Sequence, residues 1–258
     1  MGTVLRLGLA AVKGVAYSHP PSIVVHSDGV VGDRRWALIQ EQGSSWRVVR
    51  TVERPTIMTV RARQDTHQGL WLQLKDGRAF LVPAPDGPTV VADYWGRATL
   101  VRPAPGPWDA ALSDVLGRDV RLAAVERAGG VTYADPVSLV TTSSLREAAR
   151  RAGVEALDDE RFRPTVVVDT PSLPPFAEEN WVGTRLRVGS VDLLVRRQLV
   201  RCAVIQCEPG TGQSDGPDLL RVLATDRSTA TGIVFGVGAE VLTPGRISVG
   251  DVVANRKA

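Results

Sequence analysis

Short stretches of alternating apolar and polar residues run along the chain, broken by Gly, Asp or Pro at intervals of about ten residues. Up to residue 102 they read TVLRLGL, SIVVHS, RRWALIQ, SWRVVRTV, TIMTVRAR, GLWLQL, AFLVP, PTVVADYW and ATLVRP. A period of two is that of a strand with one buried face. So many short strands in close succession predict an antiparallel barrel or sandwich. The period lengthens in PWDAALSDVLG, where Trp108, Ala111, Leu112 and Val115 share one face. Pro107 suits a first helical turn and Gly117 ends it. SSLREAARRAG is a second helix, with Leu145, Ala148, Ala149 and Ala152 as its apolar stripe and Gly153 as its stop. Ser144 and Glu147 have the spacing of a capping box. Strands are predicted again at 137–141, TVVVD, RLRVGSVDLLVRRQLVRC, GIVFGVGAEVL and RISVGDVVA, with a short helix at GPDLLRVLAT. The fold class is therefore mainly β, barrel-like, with few helices. No repeat, low-complexity tract or linker separates domains, so two domains, if present, pack together and exchange segments.

Composition narrows the class. The chain has 258 residues, 43% hydrophobic and 23% charged, which supports a real core. No apolar run approaches the ~20 residues that span a bilayer, and the start of the chain lacks the pattern of a secretion signal. With two cysteines, a disulfide framework is excluded and a cytoplasmic setting is expected. Lysine occurs only at Lys13, Lys75 and Lys257; every other side-chain cation is arginine or one of three histidines. Arginine offers planar forks suited to phosphate and carboxylate. Aromatics are only 5% and the arginines are dispersed, which argues against a nucleic-acid surface.

Most catalytic motifs are missing. No GxSxG elbow occurs, and His19, His26 and His67 lack metal-ligand spacing. GVGAEV does not open a helix, so it reads as close packing in a strand rather than a dinucleotide loop. Both cysteines lie in LVRCAVIQCEPGTG, where a strand carrying Arg187, Arg196, Arg197 and Arg201 runs into a turn. Cys202 follows Arg201, and a guanidinium favours thiolate, a soft ligand or nucleophile. The alternative is that either cysteine is a small buried hydrophobe.

The segments RCAVIQCEPGTG, FGVGAEVLTPGRISVGDVV, AVKG, GVVGDRRWALI, YADPVSLVTTSSL and FRPTVVV, with Trp181 before GTRLRVGSV, together resemble the MOSC family. That is the domain at the C-terminus of molybdenum-cofactor sulfurases. The pattern is similar to two-part relatives with an N-terminal β-barrel domain, the amidoxime-reducing components among them. The resemblance implies an N-terminal barrel domain over 1–102 and a MOSC barrel over 103–258, with the N-terminal segment packing into the latter. It implies a molybdenum-molybdopterin cofactor with Cys202 as the ligand to molybdenum, and leaves Cys207 a structural role. Lys13, Gly14, Arg34, Arg35, Thr142, Ser143, Ser144, Arg163 and Arg201 become the implied cofactor contacts. Relatives usually have Pro-Val-Lys-Ser where this chain has Ala-Val-Lys-Gly. Ser144 is equally readable as a helix cap, and Arg163 as half of a surface ion pair.

What the resemblance implies for activity is reduction of small N-oxygenated substrates. Electrons would come from a separate ferredoxin or flavin reductase, because the chain lacks a cysteine set for an iron–sulfur cluster. Neither nucleic acid nor membrane is an expected partner. The competing readings are a sulfur carrier or transferase using a Cys202 persulfide, a cofactor carrier, and a metal-free biosynthetic enzyme on the same fold.

Overall fold

The computed structural model describes residues 1–64 and 69–256; His67 and Lys257 lie outside them. The described residues are mainly β, with three α-helices among them. One closed barrel is built from Trp36–Gln42, Ser45–Val48, Val90–Tyr94, Arg97–Pro103 and Arg121–Val125. Ala37, Ile39, Ala92, Tyr94, Val101 and Ala123 alternate inward to fill it. RLAAV at 121–125 was not among the expected strands. Its alanines give it little β-preference of its own. It becomes a strand by pairing on both sides, Leu122 with Leu38 and Val125 with Val101.

The second barrel closes through seven strands: Gly2–Leu7, Val137–Thr141, Val166–Asp169, Arg185–Val188, Val191–Val200, Gly232–Thr243 and Val252–Arg256. Pairing of Val137–Thr141 with Gly232–Thr243 completes the ring. Val4, Leu139, Val166, Leu193, Val237 and Val253 belong to its core. Gly2–Leu7 lies between Val166–Asp169 and Val252–Arg256, with Thr3 opposite both Asp169 and Val252. The first barrel thus runs on to Val125, past residue 102, while the chain's first strand belongs to the second.

RISVGDVVA divides between two sheets. Gly245–Ser248 pairs with Ser22–His26, and Val252–Arg256 enters the second barrel. In TIMTVRAR only Arg61–Gln64 is a strand; Pro55–Thr59 is a 3-10 turn, begun by a proline whose fixed φ suits a first turn. GVGAEV lies within Gly232–Thr243, and a Cβ on Gly236 would come within 2.6 Å of the Leu139 carbonyl oxygen. Close backbone approach is the reason for glycine there.

The first helix, α1, is Pro107–Leu116, ended by Gly117 at φ +61°. The second, α2, is Thr142–Ala152, and its N-cap differs from the expected one. Thr141 caps it, accepting from the Ser144 amide, which leaves Ser144 inside the first turn. Glu147 bonds Arg150 and Arg151 instead of closing a capping box. Thr141 wins because it is the last residue of a strand, already in the extended conformation a cap requires. The third helix, α3, is Leu219–Arg227, capped by Asp218. Among the described residues no helix is long and apolar enough to cross a membrane.

Candidate functional site

The N-terminal strand leads into residues 10–13, which run beside 33–36. Ala10 donates to Asp33 Oδ1 at 2.8 Å, Arg34 N to Ala10 O at 2.7 Å, and Lys13 N to Trp36 O at 2.8 Å. This lacing brings Lys13 and Arg34 together from two separate sequence motifs. Gly14 turns at φ +93°, and its missing Cβ would meet Thr51 Oγ1 at 2.7 Å. The Thr51 hydroxyl thus stands where a serine side chain at position 14 would go.

Arg34 is held by Asp33 and donates to Tyr17 Oη at 3.0 Å. Tyr17 Oη donates in turn to the Arg163 carbonyl oxygen at 2.6 Å, and the Arg163 guanidinium lies 4.5 Å from the Tyr17 ring centre. Arg163 also donates to Val15 O at 2.8 Å. Both Arg34 and Arg163 sit in the left-handed region, at φ +48° and +50°. That conformation is uncommon for side-chain-bearing residues and is found at functional sites.

The second barrel contributes the thiol. Val191–Val200 delivers Arg201 and Cys202, after which a 3-10 turn, Ala203–Gln206, buries Ile205 beside Phe162, Leu219 and Leu223. Arg201 donates to Phe235 O and Phe162 O, each at 2.8 Å, and its Nη2 is buried with no partner. Cys202 is exposed and Cys207 is buried, with the Cys207 sulfur 3.4 Å from Ser214 Oγ. The following turn rests on the first part of the chain, since a Cβ on Gly212 would strike Pro55 O at 2.3 Å.

A thiolate at Cys202 would lie within electrostatic reach of Lys13, Arg201 and Tyr94. Burial, with Arg34 and Arg163 alongside, pulls the Lys13 ammonium down to about 7. Its Nζ lies 5.2 Å from the centre of the Tyr94 ring. Burial brings Arg201 down to about 10 and pushes the Tyr94 phenol up to about 12. The Tyr94 hydroxyl is buried without a partner. Four cations, one exposed thiol and a protonated phenol therefore meet between the two barrels, with Asp33 as the carboxylate bonded to the group.

Other candidates lie elsewhere or are occupied. Arg35 faces a separate surface cleft with His26, Asp28 and Arg63. Thr142 donates to Asp169 at 2.9 Å. Ser143 shares its hydroxyl with Thr170 at 3.0 Å, and Ser144 donates to Glu178 at 2.8 Å while accepting from Phe176 N at 2.7 Å. Tyr17, Asp33 and Tyr94 escaped the sequence reading. Asp33, adjoining Arg34, carried a signal; the tyrosines carried none. Among the described residues no group of His, Cys, Asp and Glu is arranged to hold a metal by itself.

The cluster suits an anionic, acceptor-rich group. Arg201 Nη2 and Tyr94 Oη are buried donors lacking acceptors in the protein, the Lys13 amine stands over the Tyr94 ring, and Cys202 offers the soft ligand. A phosphorylated pterin that carries a thiolate-bound metal meets both demands.

The sequence model of the MOSC domain matches residues 118–254. Among solved structures the chain is similar to the YuaD protein of Bacillus subtilis, at 14% identity over 98% of this chain and 93% of that one, with a TM-score of 0.47. It is also similar to YiiM of Geobacillus stearothermophilus, at 18% identity over 48% of this chain and 55% of that one, with a TM-score of 0.36. No curated protein matches the chain at a significant level.

Proposed function

We propose, from the premise that the chain belongs to the MOSC domain family, that it binds a molybdenum–pterin cofactor and reduces small N-oxygenated compounds. The observation that carries the reading is the meeting of exposed Cys202 with Lys13, Arg34, Arg163 and Arg201 between the two barrels. The cofactor, when bound, supplies two-electron oxygen-atom exchange, chemistry that belongs to the group rather than to any side chain.

The residues hold and orient. Lys13, Arg34 and Arg163 would grip the phosphate, Lys13 as a point charge and the arginines as forks. Arg34 is pre-positioned by Asp33 and Tyr17, and Arg163 by Val15, so little order is lost on binding. Cys202 would be the protein's ligand to the metal. Arg201, fixed to two carbonyl oxygens, turns its free Nη2 to whatever anion lies beside the thiolate. Reducing an N–OH bond takes up two electrons and two protons and releases water. Tyr94 Oη keeps its proton as a hydrogen-bond donor beside Lys13, whose ammonium a bound phosphate would hold in the charged form. The electrons would come from a separate protein.

The exposure of Cys202 also favours a second reading, a sulfur carrier in which it bears a persulfide. Metal and pterin analysis of the purified protein separates the two. Near-stoichiometric molybdenum and turnover of benzamidoxime with a chemical reductant are the expected results. A persulfide on Cys202 by mass spectrometry, with no molybdenum, would favour the carrier.

A further inference from the structure

The hairpin joining Val90–Tyr94 to Arg97–Pro103 turns through two residues, Trp95 and Gly96, at φ +57° and +77°. A turn with both central residues in the left-handed region favours Asn-Gly, and a bulky side chain in the first position is strained. The ring is nevertheless held outward: Trp95 is 46% exposed. It meets a second exposed aromatic, Tyr133, edge to face, with ring centres 5.9 Å apart and planes at 66°. Tyr133 is 64% exposed and follows Thr132, whose carbonyl oxygen accepts from Arg97 at 2.8 Å, so the loop is tied to the hairpin.

The pair borders the cluster described above. Trp95 follows Tyr94, whose ring carries the Lys13 amine, and Tyr133 is close enough to influence the Tyr94 phenol. The Arg50 guanidinium lies 4.4 Å from the Trp95 ring centre, one residue before Thr51, which packs at Gly14. Arg97 lies over the Tyr94 ring at 5.2 Å. Two exposed rings at a corner offer a flat apolar face, while the Arg50 charge beside them is paired with Glu53 and Asp93 lines the same cleft.

We propose that Trp95 and Tyr133 form a platform at the edge of the cofactor site for the planar ring of an aromatic substrate. This rests on the reading of the cluster as a reductase centre. It deepens that reading by selecting aryl N-oxygenated compounds over aliphatic ones. The strain at Trp95 is then retained for binding, because asparagine would fit the turn better.

The test uses the full chain as purified, with benzamidoxime and acetamidoxime as probes. Saturation transfer from the protein to the benzamidoxime ring protons should be clear in the parent and lost in Trp95→Asn and Tyr133→Leu. Trp95→Asn should also raise the melting temperature, which shows that the loss is not unfolding. Under turnover, the ratio of KM for benzamidoxime to that for acetamidoxime should rise about tenfold in Trp95→Asn. Transfer that persists undiminished in Trp95→Asn, no transfer in the parent, or an unchanged KM ratio would each overturn the platform. Ring transfer that depends on Trp95, without turnover of either amidoxime, would sink the reductase reading and leave the platform standing.

Discussion

Thr142, Ser143 and Ser144 open α2 with three hydroxyls in a row, while Lys13, Arg34, Arg163 and Arg201 gather from four separate stretches of chain. From the sequence both groups are candidate anion sites, the first because it lies at a helix N-terminus with its dipole. In the structure its hydroxyls bond Asp169, Thr170 and Glu178. Glu178 is fully buried, already filling the acceptor role at that end of the helix. In the second group the donors are only partly taken: Arg34 and Arg163 keep N–H groups beyond those given to Asp33, Tyr17 and Val15 O, and Arg201 Nη2 is buried without a partner, as is the Tyr94 hydroxyl beside the Lys13 amine. A donor is available to a ligand when the fold has not already given it an acceptor, and residue type does not reveal this.

The contrast can be broken most sharply at the thiols. Cys202→Ser should fold and lose turnover altogether, because a hydroxyl stays protonated where a soft anionic ligand is needed. Cys207→Ser should keep most of its activity. The opposite pattern would move the centre away from the exposed thiol.

Next come the cations. Alanine at Lys13, Arg34 or Arg163 should each weaken cofactor retention by about 1.5–3 kcal/mol, the worth of a charged hydrogen bond. Pterin content after gel filtration measures it, and normal content in all three variants removes the phosphate assignment. Ser144→Ala tests the other group. It should lower stability by about 1–3 kcal/mol in urea unfolding, because Phe176 N and Glu178 each lose a partner. Pterin content should not follow. If cofactor retention falls in Ser144→Ala more than stability does, the two groups are one site.

The smallest effect is a pH dependence. Free lysine titrates near 10.5 and Lys13 in the folded protein near 7. Between those values the unfolded chain binds more protons, so the stability of the cofactor-free protein should rise with pH across that window. Lys13→Met should flatten the rise in the urea midpoint measured from pH 7 to 9. A bound anion would restore the lysine's proton, so binding pyrophosphate, as a probe, should take up protons at pH 8 in the parent and fewer in Lys13→Met. Equal uptake in both would show that Lys13 does not face the anion.

Most of the fold was legible because alternation and turn residues are local signals. Pro107 and Gly117 mark α1 to the residue. Arg121–Val125 was not legible, since its strand character comes from neighbours distant in sequence. The same division runs through the site. Cys202, Lys13 and Arg34 sit in short motifs that can be recognised singly. Tyr17 and Tyr94 matter through what they touch: Tyr17 links Arg34 to Arg163, and Tyr94 supports the Lys13 amine. No local pattern encodes those contacts. Arg34 and Arg35 are adjacent and chemically alike, yet only backbone direction sends one to the cluster and the other to a separate cleft.

The placement of Gly2–Leu7 governs when the protein can assemble. That strand is made first, but its neighbours are Val166–Asp169 and Val252–Arg256. During synthesis it must wait, unpaired, while the strands of the first barrel emerge and close among themselves. Contacts this distant in sequence slow folding, and waiting edges invite association. Lys13 lies six residues beyond the waiting strand and Cys202 in the barrel it completes. The phosphate grip and the thiol therefore come together only after the last strand of the second barrel is in place. Under the proposed function, cofactor loading would in this way be confined to chains whose second barrel has closed, and a half-made chain would have no complete site to offer.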